Sequence, residues 1–114
     1  MADERAIALL QETAEKTKAK KLKWQATAQV GIYVAPMGGK YTIKVFPYTD
    51  EDTHSGPPSL TLYEEGNMLL DCTIGSTASP NGLLELYTLV RNQVLRIDEK
   101  NKSIADAIEL LKKL

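Results

Sequence analysis

The sequence has almost none of the residues from which disulfides, zinc sites and catalytic groups are usually built. Its 114 residues include one cysteine and one histidine. A lone Cys72 excludes an internal disulfide and a cysteine-based zinc site, and it favours a reducing compartment. A lone His54 leaves few partners for nucleophilic catalysis. We therefore expect a cytoplasmic protein without a metal, a cofactor or a catalytic residue.

Long apolar runs and an excess charge of one sign are lacking as well. No apolar run approaches the roughly 20 residues that cross a bilayer, and acids stand near the N-terminus where a signal peptide has bases, so we expect no membrane association. The 14 Lys and Arg residues nearly balance the 15 Asp and Glu residues. That balance argues against a dedicated polyanion binder.

The periodicity of the apolar residues predicts helices at both ends of the chain and strands between them. Residues 3–20 are typical of a helix with a narrow apolar stripe. From Lys23 to Pro36 apolar and polar residues alternate, which predicts one strand. Three further strands are predicted over 40–48, 60–65 and 68–74, the last two joined by a tight turn.

Two helices are predicted after the strands. The first begins at Ser79 and Pro80, and its apolar stripe runs from Leu83 to Ile97. The second begins at Ser103 after the polar segment 98–102, with a stripe formed by Ile104, Ala107, Ile108 and Leu111.

The order of these elements predicts a single α+β domain over residues 1–114. Short connections between consecutive strands favour antiparallel pairing, because parallel neighbours need a crossover of a dozen or more residues. We expect an N-terminal helix, a four-stranded antiparallel meander sheet, and two C-terminal helices packed on one face of the sheet.

The segment "YTDEDTHSGPPS", residues 48–59, gathers the potentially reactive side chains Asp50, Glu51, Asp52 and His54. Its acids do not follow the calcium-loop pattern, since a histidine, a serine and a threonine stand at three required positions. The main interpretation is a polar connection between two hairpins. The alternative is a small hydrolase or isomerase that uses Asp52 or His54 with a carboxylate on a nearby strand.

A basic run raises a second alternative, weak nucleic-acid binding. The run contains Lys16, Lys18, Lys20, Lys21 and Lys23, with a tryptophan beside it. Lysines are also favoured at the C-terminal end of a helix by its dipole, and this is the better interpretation.

The remaining candidate is the sheet face turned away from the helices. We expect the helix-facing side to carry Trp24, Ile32, Ile43, Val45, Leu62 and Leu70. The opposite side then carries the predicted interaction face, formed by Tyr33, Lys44, Phe46, Tyr48 and Tyr63. Aromatic side chains with polar tips are enriched at protein interfaces. We therefore expect a non-catalytic interaction or regulatory module whose partner is another protein or a second copy, in a homodimer formed through this face.

Overall fold

The computed structural model describes residues 3–50, 52–73 and 81–114. They form a helix, five antiparallel strands and two further helices, in the order α1 (Glu4–Lys18), β1 (Gln25–Ala26), β2 (Tyr33–Gly38), β3 (Tyr41–Phe46), β4 (Ser59–Glu64), β5 (Asn67–Cys72), α2 (Gly82–Leu95) and α3 (Ile97–Lys112). Each strand pairs with the next in the chain. The α+β class and the antiparallel meander are confirmed, with five strands in place of four.

Three sequence predictions fall partly or wholly outside the described residues. They are the helix start at Ser79 and Pro80, the position of Glu51, and the end of the last strand at Ile74.

The single strand predicted from Lys23 to Pro36 is wrong. Only Gln25 and Ala26 pair with β2, and residues 27–32 form a turn in which the hydroxyl of Thr27 donates to the carbonyls of Gln29 and Ile32 at 3.0 and 2.9 Å. Gly31 adopts φ +85, which a residue with a side chain rarely adopts. The turn interrupts the alternation that suggested one strand.

The turn also changes which residues of β2 face the core. Tyr33 is 4% exposed and Ala35 is fully buried, whereas Val30 is fully exposed. Because successive side chains of a strand point to opposite faces, a shift of one residue exchanges the two faces. Tyr33 therefore lies on the helix side and not on the predicted interaction face.

The core lies between the sheet and helices α1 and α2. Fully or almost fully buried members come from every layer, namely Ala6, Ala35, Ile43, Val45, Leu60, Cys72, Leu83, Leu86 and Val90. Helix α1 packs against α2 and β5, and α2 packs against β2 and β4. Each large apolar side chain buried here stabilises the fold by about 1.5–3 kcal/mol.

The boundary between the last two helices differs from the sequence prediction. The break is at Arg96, whose backbone is left-handed with φ 54 and ψ 46, and α3 begins at Ile97 rather than Ser103. The segment 98–102 lies inside this helix, and three of its five residues, Glu99, Lys100 and Lys102, are good helix formers.

Helix α3 does not pack on the sheet, so the predicted placement of both C-terminal helices on one face is wrong for this element. Every residue from 99 to 114 is exposed. The molecule is accordingly elongated, with principal dimensions of 59, 30 and 26 Å. Among the helices described, none has the length and apolar character needed to cross a membrane.

Candidate functional site

The sheet face turned away from α1 and α2, called here the open face, holds part of the predicted interaction face. Lys44 lies opposite Thr61, and Thr42 lies opposite Tyr63, so Lys44 and Tyr63 share this face. Phe46, two residues after Lys44, points the same way but is only 8% exposed. Tyr48 lies beyond β3, in the connection to β4.

Contacts within the chain already engage the polar and aromatic groups of this region. The Lys44 ammonium lies 5.1 Å from the centre of the Tyr63 ring, and the hydroxyl of Thr61 donates to the Asp71 carboxylate at 3.1 Å. The ring of Tyr48 stacks on that of His54 at 4.8 Å. The open face is therefore polar and largely satisfied, with Lys44 and Tyr63 only half-buried.

The connection between β3 and β4 is organised by Asp50. Its carboxylate accepts the backbone N–H groups of Asp52 and Thr53 at 2.9 and 3.3 Å, and hydrogen bonds from the backbone of Thr53 and Asp52 lower the pKa of Asp50. Its backbone also pairs with Ser55. Asp50 is thus occupied in holding a turn.

Asp52 and His54, the residues of the enzyme alternative, are both exposed at this turn. The ring of His54 stacks on that of Tyr48. Within the described ranges, no three His, Cys, Asp or Glu side chains are grouped so that they could hold a metal ion. This geometry gives the hydrolase or isomerase alternative no support, because such catalysis needs an acid and a base that converge on one reacting atom.

Cys72 lies in the core, as its position in the apolar pattern predicts. Its thiol donates to the carbonyl of Ala6 at 3.6 Å. Burial, with a further contribution from the charge of Asp71, raises the pKa of the Cys72 thiol from 9.0 to about 11. A thiol in this state is a poor nucleophile, because the thiolate is the reactive form.

Helix α3 presents a row of exposed apolar side chains. Ile104, Ile108 and Leu111 follow one another at spacings of four and three residues, and all three are exposed. The stripe was visible in the sequence, but the sequence pattern could not show that the helix leaves the body of the domain. Residues at these spacings lie along one side of a helix.

A concave surface, called here the basic cleft, lies where the end of α1 meets the junction of α2 and α3. It has a volume of about 670 Å³. Its cationic side chains are Lys18, Lys20, Lys23 and Arg96, and its other lining residues are Leu22, Trp24, Leu89, Asn92, Gln93 and Glu99. Three of these cations belong to the basic run, and Arg96 joins them only through the fold.

The described residues thus define an α+β domain with helices on one sheet face, from which an amphipathic helix projects. The chain matches no protein-family model, no curated protein and no solved structure. Its function is therefore argued from the surfaces described above.

Proposed function

We propose that this protein is a non-catalytic interaction module that forms a homodimer, and that α3 is the element through which two copies meet. The observation that carries the proposal is the exposed apolar row on a helix that projects from the domain. Exposed contiguous apolar surface of this kind marks interaction sites in soluble proteins.

The sequence of α3 fits pairing with another helix. Ile97, Ile104 and Leu111 are seven residues apart and take the d positions of a heptad, while Asn101 and Ile108 take the a positions. Apolar residues at a and d form the seam of a two-stranded coiled coil, and one asparagine at an a position limits the register in which two helices can pair.

The partner that best fits the apolar seam of α3 is the same helix of a second copy of the chain. The connection between α2 and α3 is Arg96 alone, whereas two antiparallel helices of one chain need a loop of about two to five residues. Helix α3 therefore cannot fold back along α2 of its own chain. An apolar seam on an identical helix is self-complementary about a two-fold axis, which is the usual symmetry of a homodimer.

Pairing would also stabilise α3 itself. Its 16 residues make a helix about 24 Å long, only slightly above the length of about 12–15 residues below which even alanine-rich isolated helices are marginal in water. Burial of the seam supplies the apolar contacts that the described body of the domain does not give to this helix.

The open face of the sheet is the second candidate surface for the same function. Its support is the half-buried pair of Lys44 and Tyr63, which combine an aromatic ring with a polar tip. Phe46 contributes little surface because it is only 8% exposed, and Tyr33 lies on the other face of the sheet. We therefore place the contact on α3 and use the sheet face as the competing outcome of the test.

Analytical sedimentation across a concentration series tests the proposal. Serine substitutions at two neighbouring leucines provide a matched pair of variants. Leu111 is 66% exposed and lies in the seam, whereas Leu110 is 64% exposed and lies outside it at a c position. We expect Leu111→Ser to raise the dimer dissociation constant by roughly 100-fold or more, because each copy loses at least about 1.5 kcal/mol of apolar burial. Leu110→Ser should sediment like the wild type.

Three results would count against this assignment. A wild-type chain that stays monomeric at every concentration would remove self-association altogether. Equal weakening by Leu110→Ser and Leu111→Ser would remove the heptad seam. Dissociation by Lys44→Glu, with no effect of Leu111→Ser, would move the contact to the open face.

A further inference from the structure

We infer that the basic cleft binds an organic phosphate of nucleotide size, with its phosphate groups at the cationic rim and its flat apolar part on the floor of the cleft. The inference is independent of the dimer, since none of the a and d residues of α3 from Asn101 onward lines the cleft.

Unpaired positive charge is the first feature that favours an anion. Within the described ranges, Lys18, Lys20 and Lys23 form no ion pair, and Arg96 is paired only with the exposed Glu99. The C-terminal ends of α1 and α2 lie nearby, and each contributes about −0.5 of an elementary charge. The four cations and the one acid that line the cleft leave a surplus of +3, and the two C-terminal helix ends together with the N-terminal end of α3 at Ile97 change this to about +2.5.

That surplus distinguishes the cleft from an ordinary helix end. Cations at a helix C-terminus need only offset a partial charge, and one lysine in the last turn is sufficient for that. Here the fold brings Arg96 from a different helix to the same concavity. A phosphate group carries up to two negative charges, which is similar in size to the net positive charge of the cleft.

The walls of the cleft are fixed by hydrogen bonds that converge on the buried residue Thr17. Its hydroxyl accepts the indole N–H of Trp24 at 3.0 Å and donates to the carbonyl of Thr13 at 2.7 Å. The side-chain amide of Gln93 donates to the carbonyl of Thr17 at 2.8 Å. These bonds connect α1, the following loop and α2. The surface is therefore already ordered, and ligand binding would avoid the entropic cost of ordering it.

The backbone of the loop is also held in place beside the cations. The N–H of Lys20 donates to the carbonyl of Thr17 at 3.0 Å, and that of Lys21 donates to the carbonyl of Lys16 at 2.9 Å. Lys20 has a left-handed backbone with φ 59, in the position after a helix where glycine is usual. The turn directs the chain from the end of α1 into the wall of the cleft.

Size and lining indicate a small organic molecule rather than a bare ion. The volume of about 670 Å³ lies within the range of about 300–1,000 Å³ typical of ligand pockets. Leu22, Leu89 and the largely buried Trp24 are the apolar residues that line the cleft, and Asn92 adds an amide group that can donate to or accept from a heterocycle. Inorganic phosphate would leave most of this surface unused.

Titration with ATP, followed by the fluorescence of Trp24, tests the inference directly, because the chain has one tryptophan. We expect saturable binding of ATP, weaker binding of inorganic phosphate, and binding that declines with added salt. Replacing Lys20 and Lys23 together with glutamine should weaken ATP binding by at least roughly 10-fold, because the charge-assisted hydrogen bonds of two lysines to the phosphate groups are lost.

A matched control and a competing ligand make the result decisive. Lys102→Gln removes a cation from α3 outside the cleft and should bind ATP like the wild type, and so should the seam variant Leu111→Ser. Absence of saturable ATP binding, or equal weakening by Lys102→Gln, would overturn the inference. Tight binding of a single-stranded oligonucleotide without binding of ATP would instead assign the basic surface to nucleic acid.

Discussion

At the scale of single residues, burial determines the chemistry of Cys72. The side chain has no exposed surface, and the thiol is held against the carbonyl of Ala6. Its pKa is raised from 9.0 to about 11, mainly by burial. The one cysteine of the chain therefore acts as a small core residue.

Cys72 should react very slowly with thiol reagents in the native protein. At pH 8 the thiolate fraction falls by roughly 100-fold when a thiol pKa rises by about two units, and exclusion of the reagent slows the reaction further. We expect labelling by a chromogenic disulfide to be at least roughly 100-fold slower in buffer than in denaturant. Equal rates in the two solutions would contradict the buried position.

The same shift has a consequence for stability in alkali. Because the folded-state pKa is raised, the protonated thiol is favoured in the folded state. Its contribution to the free energy of unfolding is complete below about pH 9.0 and is lost as the pH rises through about 11. A Cys72→Ala variant should lack this part of the alkaline decline, as measured by urea unfolding at several pH values.

At the scale of elements, helix α2 organises the turn between β1 and β2. The hydroxyl of Tyr87 donates to the carbonyl of Gly31 at 2.6 Å, and the rings of Tyr87 and Tyr33 lie 5.9 Å apart. This contact joins the helix to the turn that displaced the predicted strand. Apart from Gly31 itself, the local sequence does not indicate the turn, and it does not indicate that Tyr87 contacts it.

Gly31 and Gly38 have similar backbone conformations. Alanine substitutions at the two positions can therefore be compared to separate the effect of the Tyr87 contact from that of backbone strain. Gly31 and Gly38 have φ +85 and +95, but a Cβ at Gly31 would lie 3.2 Å from the Tyr87 hydroxyl, whereas one at Gly38 would have nothing within 4 Å. Gly31→Ala should destabilise the protein by about 1 kcal/mol more than Gly38→Ala, because it also displaces a hydrogen bond. Equal losses in denaturant unfolding would show that the Tyr87 contact contributes nothing.

The elements that were predicted well have strong and uninterrupted periodicity. The stripe of α2 and the alternation in β3 identify residues that are buried, among them Leu83, Leu86, Val90, Ile43 and Val45. The alternation from Lys23 to Pro36 rested on six apolar residues, two of which, Ala28 and Val30, lie in the turn. Both residues are exposed, so no apolar burial holds that segment in a strand against the Thr27 turn.

At the scale of the whole molecule, the described residues form a compact body and a projecting helix. The core is built from α1, the sheet and α2, and no residue after 98 is buried. A chain that ends at residue 96 should therefore retain the circular dichroism of the body and unfold cooperatively, but it should sediment as a monomer at all concentrations. Loss of the folded body would show that α3 contributes to the core.

Sequence alone determined the fold class, most strand boundaries, the burial of Cys72 and the absence of a recognisable catalytic or metal motif, because these depend on local periodicity and residue type. Tertiary structure alone decided the burial of Tyr33, the projection of α3 and the meeting of Arg96 with the lysines near α1. Each of these three features depends on the direction that the chain takes at one residue with a left-handed backbone, either Gly31 or Arg96. A change of direction there moves whole elements, whereas the apolar pattern on either side remains the same.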